Sequence, residues 1–325
     1  VRLALVAFAL AAMLTAAVVG CGGATAASRR AALELDDLVP DGYSSLVRLR
    51  PRALLAEDAT MRVALAIVPL ERLDAFRDRH GVDPRELEQV SIASYEQHTV
   101  LLASGSFHSS VVVSEIGHRM APLESSADSP VLRRAGIYRM RRFELLAVGA
   151  HEVALVDGPP ALSGLVLHTR SDARGEPEPD SSENRNEPGL RALVRSEASA
   201  PFVYVLHGRP DLPPEGVGLL LARLEDAVFA VAAVGPRDPG ALELRARLLG
   251  EFPPGADENF RALVASLSES DLGRAVGLEE AARSLAIDSL DHEIRLTASV
   301  RASTLARGLR VLFGAEIDEM LDDAT

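Results

Sequence analysis

The chain has 325 residues, 47% of them hydrophobic, and a net charge of −13. That charge argues against a nucleic-acid partner and against electrostatic binding to an anionic lipid surface. All 34 basic residues are arginine, so a Walker A loop, a Schiff-base enzyme and a serine–lysine dyad are excluded. With one cysteine there is no intrachain disulfide, and the 4% aromatic content, with no Trp, argues against a stacking platform.

The first element is an apolar run from Leu3 to Val19, interrupted only by Thr15 and preceded by Arg2. Val1 reads as an alternative start codon translated literally, which makes the chain an unprocessed gene product. Gly20 and then Cys21, the single cysteine, close the run, followed by Gly22 and Gly23. A charged start, an apolar core and a small-residue boundary make an export signal. With its cysteine, the segment resembles the signal peptide of bacterial lipoproteins. The resemblance covers residues 1–21 alone, and Val18 stands where that family usually has Leu. It implies cleavage between Gly20 and Cys21, with lipid attachment (diacylglycerol and an amide-linked chain such as palmitate) at Cys21. Gly22 after the cysteine favours the outer over the inner membrane by the family's sorting habit. Two other readings stay open. Ala24-Thr25-Ala26 is an A-x-A site for release by an ordinary signal peptidase. The run could also remain as an uncleaved anchor, although a spanning helix wants about 20 apolar residues.

Beyond the signal (1–20) the chain divides into a tether (21–35), a first module (36–169), an acidic linker or long loop (170–189) and a second module (190–325). The stretch 170–189 holds three prolines and a single apolar residue, Ala173, too little to bury. In the first module Ser45–Leu49 reads as a strand. A helix carrying Leu70, Leu73 and Phe76 ends at His80-Gly81. Val90–Ile92 and Thr99–Phe107 form a hairpin, and a β-branched helix through Val112, Val113, Ile116 and Met120 follows. Leu145–Val148 and Val153–Val156 make another hairpin around Gly149-Ala150. In the second module Phe202–His207 and Asp226–Val234 are strands. Leu242, Leu244, Ala246 and Leu248 alternate with Glu243, Arg245 and Arg247. Phe260, Leu263, Val264 and Leu267 mark one helical stripe. Ile294, Leu296, Ala298 and Val300 alternate again, before a helix with Leu305, Leu309, Leu312 and Phe313.

This pattern predicts an α+β fold of mainly antiparallel sheets, with helices packed on one face, in two related β-α-β-β-α modules. Gly105-Ser106-Phe107 and Gly250-Glu251-Phe252, each ending a strand, hint at the duplication.

Chemistry is sparse. His151-Glu152 and His292-Glu293 do not continue as H-E-x-x-H, because Leu155 and Leu296 stand where the second His is needed. Neighbours on a strand point to opposite faces, so neither pair holds a metal jointly. His108-Ser109 lacks G-x-S-x-G and reads as a helix start capped by Ser109 or Ser110. His118 and His168 read as helix-end residues. Asp36-Asp37, Glu279-Glu280 and Asp322-Asp323 read as solvated faces or helix starts. Gly216 and Gly218 lack the third glycine of a dinucleotide loop, and Pro213-Pro214 reads as a helix start. No catalytic residue, metal ligand or cofactor is therefore assigned, and the one site is Cys21.

The expectation is a non-enzymatic, lipid-anchored cell-envelope protein that binds or scaffolds, with the membrane as partner through its acyl chains. An alternative is a carrier of a lipid or other apolar ligand, broadly similar to periplasmic lipoprotein carriers. A third is an envelope hydrolase without a recognisable motif.

Overall fold

The computed structural model describes residues 35–80, 83–117, 121–122, 137–140, 143–174, 188–208, 223–235 and 238–310. Gly20, Cys21 and the tether lie outside the described residues, as do Gly216, Gly218, His118 and Asp322-Asp323. In chain order the strands are β1 (Ser45–Leu49), β2 (Leu87–Ser94), β3 (Thr99–Gly105), β4 (Ala121–Pro122), β5 (Ile137–Met140), β6 (Phe143–Ala147) and β7 (Glu152–Asp157). They continue as β8 (Phe202–His207), β9 (Leu224–Ala233), β10 (Ala241–Gly250), β11 (Ala286–Leu290) and β12 (Glu293–Arg301). The helices are α1 (Pro51–Ala56), α2 (Asp58–Ile67), α3 (Leu70–His80), α4 (Ser109–Gly117), α5 (Pro160–Arg174) and α6 (Pro188–Ser196). After them come α7 (Ala256–Glu269), α8 (Asp271–Val276), α9 (Leu278–Ser284) and a last helix, α10, over 302–310. A 3-10 turn, Leu35–Leu38, precedes β1.

The chain forms two compact units. Among the described residues, one takes in 35–52 and 73–174, the other 53–72 and 188–310. The segment Ala53–Arg72 therefore leaves the first sequence module and joins the second. Its Ala59 is 1% exposed and clusters with Leu242, Val300 and Ala302, while Val63 and Leu305 pack around them. Helix α5 continues through Arg174, beyond the expected start of the linker, because Gly175 and Pro177 are the first breakers after it. Pro188 then opens α6 at the first helical position, where its missing N–H costs nothing.

The fold is α+β with antiparallel pairing, and the two units share one connectivity. In the N-terminal unit β1, β2 and β3 pair in sequence. The hairpin β6–β7 then returns so that β7 lies beside β3, with β5 and β4 added beyond β6. In the C-terminal unit β8, β9 and β10 pair in sequence, and the hairpin β11–β12 returns so that β12 lies beside β10. Among the described residues each unit has a strand, a hairpin, a helical segment, a second hairpin and a closing helix; in the C-terminal unit the segment between β8 and β9 (209–222) lies outside the described residues. β11 was not foreseen, because five residues with an exposed pattern give no alternation to read.

Burial follows the strand period. In the C-terminal unit Ala227, Leu248 and Ile294 meet Phe260 of α7 in one core cluster, with Phe229, Leu296 and Ile287 packed around it. The opposite side of β10 points Glu243, Arg245 and Arg247 away from that core. In the N-terminal unit the neighbours Arg48, Ser91, Leu102, Ala154 and Leu146 run across five strands in one row, and each is almost fully buried. The 3-10 turn and α5 cover this face, so a second helical layer supplements the first.

Candidate functional site

The most elaborate corner of the N-terminal unit lies where β3 ends, α4 begins and the β6–β7 hairpin turns. Gly105 is required there, since a Cβ on it would stand 2.9 Å from the Glu86 carbonyl oxygen and 3.0 Å from the Phe107 ring. The β2–β3 register shifts between Leu87 and Gln89 beside it, a local bulge. Gly105 N–H donates to the His151 carbonyl at 3.2 Å, and Ser109 N–H donates to the Ala150 carbonyl at 2.9 Å. The Ser109 hydroxyl donates to the Gly149 carbonyl. Ser109 is thus the first residue of α4 and ties the helix to the hairpin, instead of capping it.

Two imidazoles meet on this frame. His151 Nδ1 is 2.7 Å from the Phe107 carbonyl oxygen. A carbonyl only accepts, so Nδ1 carries the proton and Nε2 of the neutral ring keeps its lone pair. The His108 ring lies with its centroid 5.2 Å from that of His151, the planes tilted by 34°. Both side chains are exposed. The sequence isolates His108-Ser109 and His151-Glu152 as separate motifs; what it hides is that one hairpin turn brings their imidazoles together.

The C-terminal unit repeats the corner with different chemistry. Gly250 N–H donates to the His292 carbonyl at 3.1 Å, and a Cβ on Gly250 would stand 2.1 Å from the Arg223 carbonyl oxygen. The β9–β10 register also shifts here, between Leu249 and Gly250. Phe252 meets Phe260 edge to face, with centroids 6.0 Å apart. Leu-Glu at 87–88 and 224–225, Gly-x-Phe at 105–107 and 250–252, and His-Glu at 151–152 and 292–293 occupy matching positions in the two units. Pro253 follows Phe252 where His108 follows Phe107, so the second corner lacks a paired imidazole at that position. Glu293 instead bridges Arg247 and Arg295. The hydrogen bond from Arg295, reinforced by that from Arg247 against the effect of burial, draws its carboxyl down to about 2.

Two buried polar clusters sit in the N-terminal unit. Asp36 was expected on a solvated face or at a helix start. Its side chain is 11% exposed, and it accepts from Arg48 Nη1 at 3.2 Å, Gln89 Nε2 at 3.0 Å and the Ser91 hydroxyl at 2.5 Å. Asp36 does lie in the 3-10 turn Leu35–Leu38, but its side chain is not solvated, because its partners come from β1 and β2, out of reach of local pattern. Nearby, the Tyr95 hydroxyl donates to the Pro40 carbonyl at 2.6 Å, and burial raises the phenol's pKa. The second cluster is Glu144 of β6, 1% exposed, accepting from the Ser163 hydroxyl of α5 at 2.5 Å.

The remaining singled-out residues are scattered. His80 ends α3. His168 falls inside α5 and not at its end. Glu279 and Glu280 start α9, paired with Arg283 and Arg301. His207 and Asp226, cross-strand neighbours on β8 and β9, are joined Nδ1 to Oδ1 at 2.7 Å. Among the described residues no three His, Cys, Asp or Glu side chains group as a metal site. Nor is any described helix long and apolar enough to cross a membrane.

The sequence matches no family model and no curated protein. Among solved structures, crystal form III of TP0453 is similar with a TM-score of 0.50 and 11% identity, over 87% of this chain and all of that one. Crystal form I of the same protein gives a TM-score of 0.46 at 12% identity, over 87% of this chain and 98% of that one. At this identity the likeness to form III establishes a shared α+β fold.

Proposed function

We propose that this chain is a lipid-anchored protein of the bacterial cell envelope, placed on the outer membrane, that acts by binding or scaffolding and not by catalysis. The observation that carries the reading is the placement of Cys21, the single cysteine, directly after the apolar run Leu3–Val19 and Gly20. The packing of the first described residues supports it. Leu35, Leu38 and Val39 are each 4% exposed, Asp36 is held by three side chains, and Pro40 is held by Tyr95. A segment held in this way is suited to follow a short N-terminal anchor.

Each buried methylene contributes about 0.8 kcal/mol, so several acyl chains on Cys21 hold the protein on the bilayer stably. The test is metabolic labelling with a palmitate analogue in a bacterial host, comparing the native chain with Cys21→Ala. Label and membrane fractionation are expected in the native chain and lost in the variant. Label that persists in Cys21→Ala, or a native chain recovered unlabelled and soluble after cleavage near Ala26, overturns the assignment.

A further inference from the structure

We propose that His108 and His151 form a bis-imidazole chelate for a borderline divalent transition-metal ion of the Zn2+ or Cu2+ class.

Three features of the corner support this. The first is the protonation of His151. The Phe107 carbonyl, 2.7 Å from Nδ1, holds the tautomer whose Nε2 is a free lone-pair donor. A backbone carbonyl on the far nitrogen is also how metal-binding histidines are commonly oriented and made more basic.

The second is spacing. A zinc–imidazole bond of about 2.05 Å, plus about 1.1 Å from ring nitrogen to ring centre, gives an arm of about 3.2 Å. Two such arms at a tetrahedral angle set the ring centres about 5.2 Å apart, and at a right angle about 4.5 Å. The observed separation of the His108 and His151 centroids is 5.2 Å. It matches two ligands of one tetrahedral ion.

The third is rigidity combined with access. Gly105 N–H to the His151 carbonyl, Ser109 N–H to the Ala150 carbonyl and the Ser109 hydroxyl to the Gly149 carbonyl lock the strand end, helix start and hairpin together. Both rings are exposed, so an ion can enter and water can fill its other positions. The Glu152 carboxylate, accepting from His151 N–H at 3.3 Å, adds negative charge beside the pair. Two protein ligands make a weaker site than three or four, suited to an ion that exchanges. The C-terminal corner is an internal control, since His292 shares the backbone frame and lacks an imidazole at the Pro253 position.

The test uses the full chain in detergent, titrated with Cu2+ and with Zn2+ by calorimetry, with Cu2+ binding also followed by electron paramagnetic resonance. The expected result is about one equivalent of each ion bound, with a copper spectrum showing two nitrogen ligands, and an affinity at least 10-fold weaker in His108→Ala and in His151→Ala. His292→Ala is expected to bind as the native chain does. Because the His108 ring is exposed, its removal leaves the fold intact, which circular dichroism of each variant checks. Failure of the native chain to bind either ion at micromolar concentration, or unchanged binding in a folded His108→Ala variant, overturns the proposal.

Discussion

Removing the carboxylate of Asp36 tests the clasp at the start of the folded body. Asp36 Oδ2 lies 3.2 Å from Arg48 Nη1, and the Arg48 side chain is 1% exposed. At an effective dielectric constant of about 20, opposite unit charges at that separation attract by about 5 kcal/mol. Some of this is offset by the desolvation that both groups already bear in the native state. Asp36→Ala removes the attraction, leaves the guanidinium buried, and also deprives Ser91 and Gln89 of an acceptor. The expected loss is about 3–5 kcal/mol, the range for breaking one side of a buried pair. In a unit of this size that lowers the thermal midpoint by about 10 °C. Val205 of the C-terminal unit shows what an apolar solution looks like: it occupies the β8 position matching Arg48 of β1, and it is fully buried. The double change Asp36→Leu with Arg48→Met is therefore expected to recover the share due to the buried guanidinium and to leave about 1–3 kcal/mol for the acceptor that Ser91 and Gln89 lose. Calorimetry and urea unfolding read both. A midpoint for Asp36→Ala within about 2 °C of native shows that the pair does not hold the unit together. A double variant as damaged as the single one refutes the desolvation argument.

Gly250→Ala is expected to destabilise the C-terminal unit by about 2–4 kcal/mol, because the new Cβ would overlap the Arg223 carbonyl oxygen and force the backbone apart. Gly105→Ala meets a looser contact and is expected to cost less; equal denaturation midpoints for the two variants would contradict this. Ser163→Ala withdraws the hydroxyl that donates to buried Glu144 and is expected to cost about 1–3 kcal/mol by urea unfolding. Glu293 has its carboxyl drawn down to about 2 from an ordinary 4.5, so it favours the folded state fully above about pH 4.5. That contribution is lost as pH falls through about 2, and Glu293→Gln is expected to flatten the stability–pH curve in this window. An acid limb identical in native and variant chains would assign the titration elsewhere.

Much of the architecture was legible because its signals are local. The alternation at Leu242–Leu248 and at Ile294–Val300, and the stripe through Phe260 and Leu263, state the period of the element they belong to. Even the shared connectivity of the two units left a trace in the two Gly-x-Phe strand ends. Their meaning appears once Gly105 and Gly250 are each seen bonded to the carbonyl of a histidine at a hairpin tip. The site was harder to read. Asp36 beside Asp37 looks like any exposed acidic pair, since its partners lie at Arg48, Gln89 and Ser91. Among the described residues three strands and a helix lie between His108 and His151, so no spacing rule connects them.

What came from the sequence by itself was the alternation of strands and helices, the exclusion of an intrachain disulfide and of lysine chemistry, and the expectation of an export segment with Cys21 as the attachment point. These depend on composition and on neighbours a few residues apart. Only the tertiary structure decided that Ala53–Arg72 belongs with the C-terminal unit, that Asp36 is a buried clasp, and that two exposed imidazoles share one corner. Each depends on pairing between strands distant in the chain, where burial and hydrogen bonding are set by the register of the sheet and not by the residues on either side.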